Sequence, residues 1–361
     1  MMVSSVIGFF CSAFLCMLII RYQHLHVEFT GDSSLGPQKF HKKATPRVGG
    51  LPIFVTMIMV WTIQVIQNPE MASEFKLLMS TLPVFVVGLV EDITKNVGVK
   101  LRLLAAFTSG ALAYFLYDIK VTGLDISWID SMFNYVWICI PVSAFAIAGV
   151  ANAYNIIDGF NGLASMVAVI CLLAIASVAF RVEDMLVIQL CILMIAPLLG
   201  FFTWNYPRGL IFLGDAGAYL IGFWTAILSI LIVMRHPNVS PWFALMVNAY
   251  PITETLFTIW RRSIHQGKNP GLPDAAHFHS LIYRRVIRWT TPNNEKAHIR
   301  ASKNAATSPY LWILSSLGVF PAIMFWDSTK YLMISAVLYV FFYVWCYWQI
   351  VTFKTPKVLK K

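Results

Sequence analysis

Charge is what this sequence has least of. Asp, Glu, Lys and Arg make up 12% of its 361 residues, against about 25% in an ordinary soluble domain. That is too little polar surface to cover a water-soluble globule of this length. Disorder is excluded for the opposite reason: 58% of the residues are hydrophobic and the mean hydropathy is +0.69. Cysteine is scarce too. Cys11, Cys16, Cys139, Cys171, Cys191 and Cys346 all fall inside apolar runs, and none forms a CxxC pair. Such residues behave as small buried hydrophobes, which leaves no disulfide framework and no thiolate metal site. Internal repeats and low-complexity tracts are absent. What remains is an all-α, polytopic integral membrane protein.

Apolar runs at about 3–20, 48–66, 76–90, 102–117, 134–151, 162–180, 185–203, 216–234, 241–260, 309–326 and 331–350 predict about eleven transmembrane helices. Residues 118–133 carry Asp118, Lys120, Asp125 and Asp130 and are expected as an exposed loop. With alternating sides, 22 of the 27 Lys and Arg fall on one face. Positive charge marks the cytoplasmic side, so the N-terminus is expected outside and the C-terminus in the cytoplasm. No Lys or Arg precedes the first run and Arg21 follows it, the pattern of an uncleaved anchor. Residues 1–361 read as a single transmembrane domain with a long cytoplasmic loop at 261–308.

The few polar residues collect at the cytoplasmic ends of the spans. "KFHKKATPRVGGL" (39–51) sets Lys39, His41, Lys42, Lys43 and Arg47 before Gly49-Gly50 at a helix start, which suits a phosphate. Glu91 and Asp92 end the third span, with Lys100 and Arg102 close behind. Paired carboxylates at a membrane boundary are costly unless they bind a cation or do chemistry. In "NAYNIIDGFNGLA" (152–164) Asn152, Asn155 and Asp158 are spaced by three and share a helical face. Asp215 lies between Gly214 and Gly217 at the start of the eighth span, as an N-cap or as a hard-cation ligand. Arg261, Arg262, Asp274, His277 and His279 fill the long loop. HxH without a third soft ligand is a weak zinc signal; facing a pyrophosphate suits these residues better. Glu254, inside the ninth span, is a site or packing candidate partnered by one of these cations. Each cluster alone has an ordinary structural reading. Together they point to one site that binds a phosphorylated anion through Mg²⁺, and nothing in the chain suggests nucleic acid.

The order "KFHKKATPRVGG", "EDITK", "NAYNIIDGFNGLA", "FLGDAGA", "RRSIHQGKNPGLPDAAHFH" resembles the polyprenyl-phosphate N-acetylhexosamine-1-phosphate transferases, glycosyltransferase family 4. The likeness spans roughly residues 39–280. It implies helices around a cytoplasmic cleft, at the bacterial inner membrane. There an N-acetylhexosamine 1-phosphate would pass from a UDP-sugar to undecaprenyl phosphate with release of UMP, starting O-antigen, capsule or another glycan. Mg²⁺ would be required, with Mn²⁺ as substitute, and a homodimer is compatible. By resemblance, Asp215 is the principal Mg²⁺ carboxylate and Asn155 a second ligand, and Asp92 is the base on the lipid phosphate. Asp158 and Asn205 lie near the nucleotide, where Asn152 shares the helical face, and Phe212 stacks on uracil. Lys43, Lys100, Arg102 and His277 face phosphates, with Arg262 and His279 in support.

This sequence departs from the family pattern at Gln38, Glu91, Asn161 and Ser280. The departures at Gln38, Asn161 and Ser280 disfavour the alternative of a phospho-MurNAc-pentapeptide transferase. A transporter of anionic or lipid-linked sugars is the rival from another class; it predicts polar residues at the midplane rather than at one face.

Overall fold

The computed structural model describes residues 2–32, 45–267, 274, 276–287 and 304–352. In chain order the main helices are α1 (Met2–Arg21), α2 (Gly50–Gln67), α3 (Phe75–Thr94) and α4 (Val99–Tyr117). The short α5 (Ser127–Phe133), then α6 (Val136–Ile157), α7 (Leu163–Arg181), α8 (Met185–Asn205) and α9 (Gly214–Arg235) follow. Two short helices, α10 (Pro241–Val247) and α11 (Ala249–Trp260), lead to α12 (Phe278–Ile282), α13 (Ser308–Met324) and α14 (Thr329–Thr352). Two-residue strands, β1 (Gly31–Asp32) and β2 (Thr45–Pro46), pair antiparallel with Gly31 opposite Pro46.

Among the described residues, nine helices are long and apolar enough to cross a membrane. Helices satisfy every backbone group internally, which is what lets them sit in hydrocarbon. The chain is therefore an all-α multi-pass membrane protein. The expected spans at 241–260 and 309–326 differ from this pattern. The second is α13, with 17 residues. The first is broken at Asn248 into α10 and α11. Pro251 has no N–H to offer the carbonyl four residues back, and Cys171 Sγ donates to that Val247 carbonyl at 3.0 Å. Asn248 Nδ2 bonds Ala244 O at 3.0 Å, and its Oδ1 accepts from Tyr154 at 3.5 Å. The segment expected as a loop at 118–133 contains α5, closed by Asp130, which accepts from the Leu124 and Ile126 N–H groups at 2.6 and 3.0 Å.

Burial orders the bundle. In α9 89% of the span is buried, against 17% in α14 and 22% in α1. Helix α9 is thus the central post, and α2, α3, α6 and α7 pack on it. Small residues allow the closest crossings: a Cβ on Gly222 of α9 would stand 2.8 Å from Ala151 Cα of α6.

The loops segregate into two ends. At one end Trp242 bonds Leu124 O, Ser240 bonds Trp326 O, and Arg181 bonds Ile323 O. Asp184 joins the same end, bound by Arg235 and His236 at 2.6 and 2.8 Å. Burial raises the Asp184 carboxyl, but these two partners outweigh it and hold it below the usual range. The other end gathers the starts of α2, α4 and α9 with the ends of α3, α6 and α8.

Candidate active site

Helix α9 begins at that second end. Gly214 turns the chain with φ +76°, and a side chain there would strike Arg47 O at 2.4 Å and Asp92 Oδ2 at 2.5 Å. The first N–H groups of a helix have no partner within it. Here the partner comes from another helix. Asp92, fully buried in the last turn of α3, accepts from the Asp215 N–H at 2.7 Å and the Ala216 N–H at 2.9 Å. A carboxylate at a helix start also suits the helix dipole. This arrangement needs α3 almost in contact with α9, and Gly88 makes room: a Cβ on it would lie 2.7 Å from Ala216 N and Cα. The segment after β2 is stitched to the same place. Phe212 N–H bonds Pro46 O at 2.8 Å, and Gly49 and Gly50 N–H bond Phe212 O and Leu213 O, each at 2.9 Å.

That stitching sets Arg47 beside the two carboxylates. Asp215, 2% exposed, is gripped by Arg47 from one side and by Arg102, on the first turn of α4, from the other. Arg47 Nε also lies 3.4 Å from Asp92 Oδ1. Two guanidinium groups thus balance two buried carboxylates, as burial of such charges demands. Glu91 faces elsewhere: its side chain accepts from Val97 N–H at 2.7 Å and closes the α3–α4 turn.

The C-terminal end of α6 forms a second wall. Tyr219 of α9 donates to Asn152 Oδ1 at 3.1 Å. Asn155 is half-buried in the last turn of the helix. Asp158, the residue that caps α6, is half-buried. Burial pushes its carboxyl up to about 7; Arg47 opposes this and Asp215 adds to it. Asp158 is therefore within electrostatic reach of the Arg47–Asp215 pair. The turn after it is tied down by Asn205, which accepts from Gly162 N–H at 2.6 Å and donates to Ile211 O at 2.7 Å. Asn161 donates to Pro207 O at 3.1 Å, while Ser308 bonds its carbonyl at 2.6 Å.

The loop after α11 closes the third side. A Cβ on Gly159 would stand 2.7 Å from His279 Nε2, and the His279 ring meets Phe160 edge-on at 5.4 Å. Burial, helped by His277, pushes the His279 imidazole down to about 3, so it is neutral at pH 7. His277 stacks on it at 5.2 Å. Arg261 pairs with Asp274. Burial raises that carboxyl, but the Arg261 hydrogen bond and the Ala276 N–H outweigh it and hold it below the usual range.

Comparison with known proteins gives this geometry a family. The family model "Glycosyl transferase family 4" matches residues 75–233. A probable undecaprenyl-phosphate N-acetylglucosaminyl 1-phosphate transferase of Bacillus subtilis (strain 168) is 29% identical over 248 residues, 68% of this chain and 67% of that protein. An undecaprenyl-phosphate alpha-N-acetylglucosaminyl 1-phosphate transferase of Thermotoga maritima is 26% identical over 257 residues, 70% of this chain and 73% of its own. A phospho-N-acetylmuramoyl-pentapeptide-transferase of Clostridium botulinum (strain Alaska E43 / Type E3) is 33% identical over 234 residues, 62% of this chain and 69% of its own. The chain belongs to glycosyl transferase family 4.

In this family 4 chain the matched region runs from α3 through most of α9. It holds Asp92, Lys100, Arg102, Asn152, Asn155, Asp158, Asn205, Phe212 and Asp215. The structure brings Asp92, Arg102, Asp158 and Asp215 together. Lys100 is exposed two residues before Arg102. Phe212 is half-buried, held through its backbone. Asn205 already has both ends of its amide on backbone groups. His277 and His279 stack beside the Asp158 turn, and Arg262 is buried at the end of α11. Lys43 lies outside the described residues. The expected N-cap role of Asp215 falls instead to Asp92, because Asp215 sits inside the first turn. Arg47, which the family resemblance gives no role, sits beside both carboxylates. Its signal was its position, the last cation before Gly49-Gly50.

The hard oxygens at Asp215, Asp158 and Asn155 would suit a hard cation such as Mg²⁺ better than a softer metal. Among the described residues no three or more His, Cys, Asp or Glu cluster as a self-sufficient metal site. Mg²⁺ does not require one, since it takes one or two carboxylates and fills its shell with water and substrate phosphates.

Proposed function

We propose that this protein transfers an N-acetylhexosamine 1-phosphate from a UDP-sugar to undecaprenyl phosphate or a related polyprenyl phosphate, releasing UMP and leaving a lipid-pyrophosphate-sugar. The observation that carries the reading is the buried Asp215, gripped by Arg47 and Arg102 at a helix start and within reach of Asp158. Such a cluster suits phosphoryl transfer between two anions, where repulsion is the main obstacle. Arg47 and Arg102 can pass from Asp215 to phosphate oxygens, which accept the same two-pronged donors. Asp215, with Asn155 and Asp158, would hold Mg²⁺, which when bound supplies the charge that neutralises the pyrophosphate and polarises the bond to UMP.

Asp92 has both oxygens on the α9 start, so it orients that end. A phosphate monoester ionises near pH 6, so the lipid phosphate needs no strong base at pH 7. His277 is the candidate to exchange a proton or hydrogen bond with a phosphate oxygen. Lys100, exposed at the rim, suits the steering of anions, and Lys43 belongs to the same set of cations by sequence. Positive charge concentrated at the site's end supports a cytoplasmic face of the bacterial inner membrane.

The Bacillus and Thermotoga relatives carry N-acetylglucosaminyl names and the Clostridium relative a pentapeptide name; the departures at Gln38, Asn161 and Ser280 favour a simple N-acetylhexosamine. At Asn161 a neutral amide, 2% exposed, closes a backbone turn where the family pattern has a charge, one of the three departures that weigh against the pentapeptide reading. The transporter reading is weakened because the carboxylates and arginines of the cluster sit at one end of the bundle.

The deciding experiment offers purified protein a panel of UDP-sugars with and without undecaprenyl phosphate and follows UMP. UMP release that depends on the lipid supports the reading, and its dependence on Mg²⁺ is tested by adding excess EDTA. No UMP with any sugar, or release without the lipid, overturns it.

A further inference from the structure

Glu254 lies in the middle of α11, 1% exposed, on a helix with no other charged residue. A carboxylate in such a place is costly unless it is fully partnered. It is. Oε1 lies 3.0 Å from His277 Nδ1 and accepts from the Phe278 N–H at 3.2 Å. Oε2 accepts from the Tyr343 hydroxyl at 2.7 Å. Thr258, one turn further along α11, is 3.3 Å from the same His277 nitrogen. Tyr347, one turn along α14 from Tyr343, donates to Ala276 O at 3.1 Å. Residues 276–278 are therefore clamped between α11 and α14, both outside the region that the family model matches.

An ionised carboxylate only accepts hydrogen bonds. His277 must then carry its proton on Nδ1, and Nε2 is left on the opposite edge of the ring. Among the described residues Nε2 makes no hydrogen bond. The ring lies nearly parallel to His279, at 16°, and His279 abuts Gly159 in the turn that follows Asp158. Nε2 is thus a fixed acceptor, or once protonated a fixed donor, one ring away from the turn that follows Asp158. A histidine whose second nitrogen is tied to a carboxylate has its tautomer set by that bond.

We infer that Glu254 is a positioning residue: it holds His277 as the Nδ1–H tautomer, so that Nε2 alone faces the reaction. The catalytic consequence rests on the transferase reading above, whereas the tautomer does not.

The test uses the full chain in lipid nanodiscs with ¹⁵N-labelled histidine, the His277 signal being assigned by its loss in His277→Gln. The wild type is expected to show the Nδ1–H pattern of nitrogen shifts. Glu254→Gln keeps the shape, but its amide can donate as well as accept, so the tautomer becomes mixed or inverted. With that change kcat should fall about 100-fold, the scale of a lost general acid–base group. KM for the UDP-sugar should stay within about threefold, as for an interaction made in the transition state. Tyr343→Phe removes one donor and leaves the carboxylate, so it should keep the tautomer and lose no more than a few-fold in kcat. An unchanged tautomer and kcat in Glu254→Gln would overturn the inference. If that variant does not fold, the wild-type spectrum decides, and an Nε2–H pattern overturns it. A tautomer change in a protein that releases no UMP would sink the transferase reading and leave the positioning intact.

Discussion

Asp92 and Asp215 meet at one helix start, yet the structure gives them different work. Asp215 offers its side chain to Arg47 and Arg102, whereas both Asp92 oxygens are engaged by the α9 backbone. Asp215→Asn should cut kcat about 10³-fold, on the scale of losing one preorganised electrostatic partner. It should still fold, because the Arg47 and Arg102 side chains are 28% and 16% exposed and can reach water. Near-normal UMP release at saturating Mg²⁺ would refute this. Asp92→Asn turns an amide N–H toward a backbone N–H, so it should lower stability by about 1–3 kcal/mol in denaturation and depress kcat at every substrate concentration. Raising the pH should not restore it; rescue would mark Asp92 as a base. Glu91→Gln should be mild, since an amide oxygen can still accept from Val97. Asp158 makes a prediction in pH. Its carboxyl is raised from about 3.8 to about 7, so the folded state holds the proton more tightly than the unfolded one. That contribution is full below pH 3.8 and is lost as pH rises through about 7. His279, lowered from 6.5 to about 3, works oppositely: its contribution is complete above pH 6.5 and is lost as pH falls toward 3. Between pH 6.5 and 7.5 only the Asp158 loss acts of these two. The melting temperature without Mg²⁺ or substrate should fall across that window in the wild type and fall less steeply in Asp158→Asn.

At the scale of elements, the site exists because α2 and α3 approach α9 closely enough to deliver Arg47 and Asp92 to its first turn. Gly88→Ala would put a Cβ 2.7 Å from the Ala216 backbone. Backbone in the most buried helix cannot yield as a side chain would. Overpacking of this kind costs about 1–3 kcal/mol, and the displaced Asp92 would leave the helix start uncapped. Thermal unfolding and UMP release should therefore fall together; unchanged values for both would mean that the approach is looser. The long spans were legible because an apolar run of some 20 residues has few other uses. The ends of α6 and α9 were legible because Asp-Gly and Gly-Asp mark them. The break at 248 was half-written in the sequence. Pro251 announces a missing donor, but the thiol of Cys171 that serves the freed Val247 carbonyl is 76 residues from it. The cross-helix cap was hidden in the same way. Asp92 and Asp215 are 123 residues apart, and only packing shows that the first serves the helix start of the second. Arg47 reads as one more cation in a basic flank until Pro46 and Gly49 are seen bonded to Phe212. The two tyrosines that clamp the histidine loop carry no local signal at all, since aromatic residues are common along α14.

For the whole molecule the decisive asymmetry is charge. The sequence places 22 of 27 Lys and Arg on one set of loops, and the hydrogen bonds sort the described loops into the same two ends. One end holds Leu124, Asp184, Ser240 and Trp326; the other holds Arg47, Asp92, Asp158 and Asp215. A bilayer with anionic lipid and an inside-negative potential resists moving Lys and Arg outward. The site's end should then face the cytoplasm, where its cations also draw in an anionic nucleotide from solution. Two exposed polar positions report the two ends. Asn96 lies in the α3–α4 turn beside the site, and Ser131 lies on α5 at the far end. The native cysteines are buried or half-buried in helices, so they add little background with a reagent confined to water. An impermeant maleimide added to intact spheroplasts should label Ser131→Cys and spare Asn96→Cys until the membrane is opened. The reverse pattern would turn the cluster outward and remove the electrostatic case for a cytoplasmic nucleotide. Labelling of both positions from outside would mean that the two loop sets do not lie on opposite sides of the bilayer.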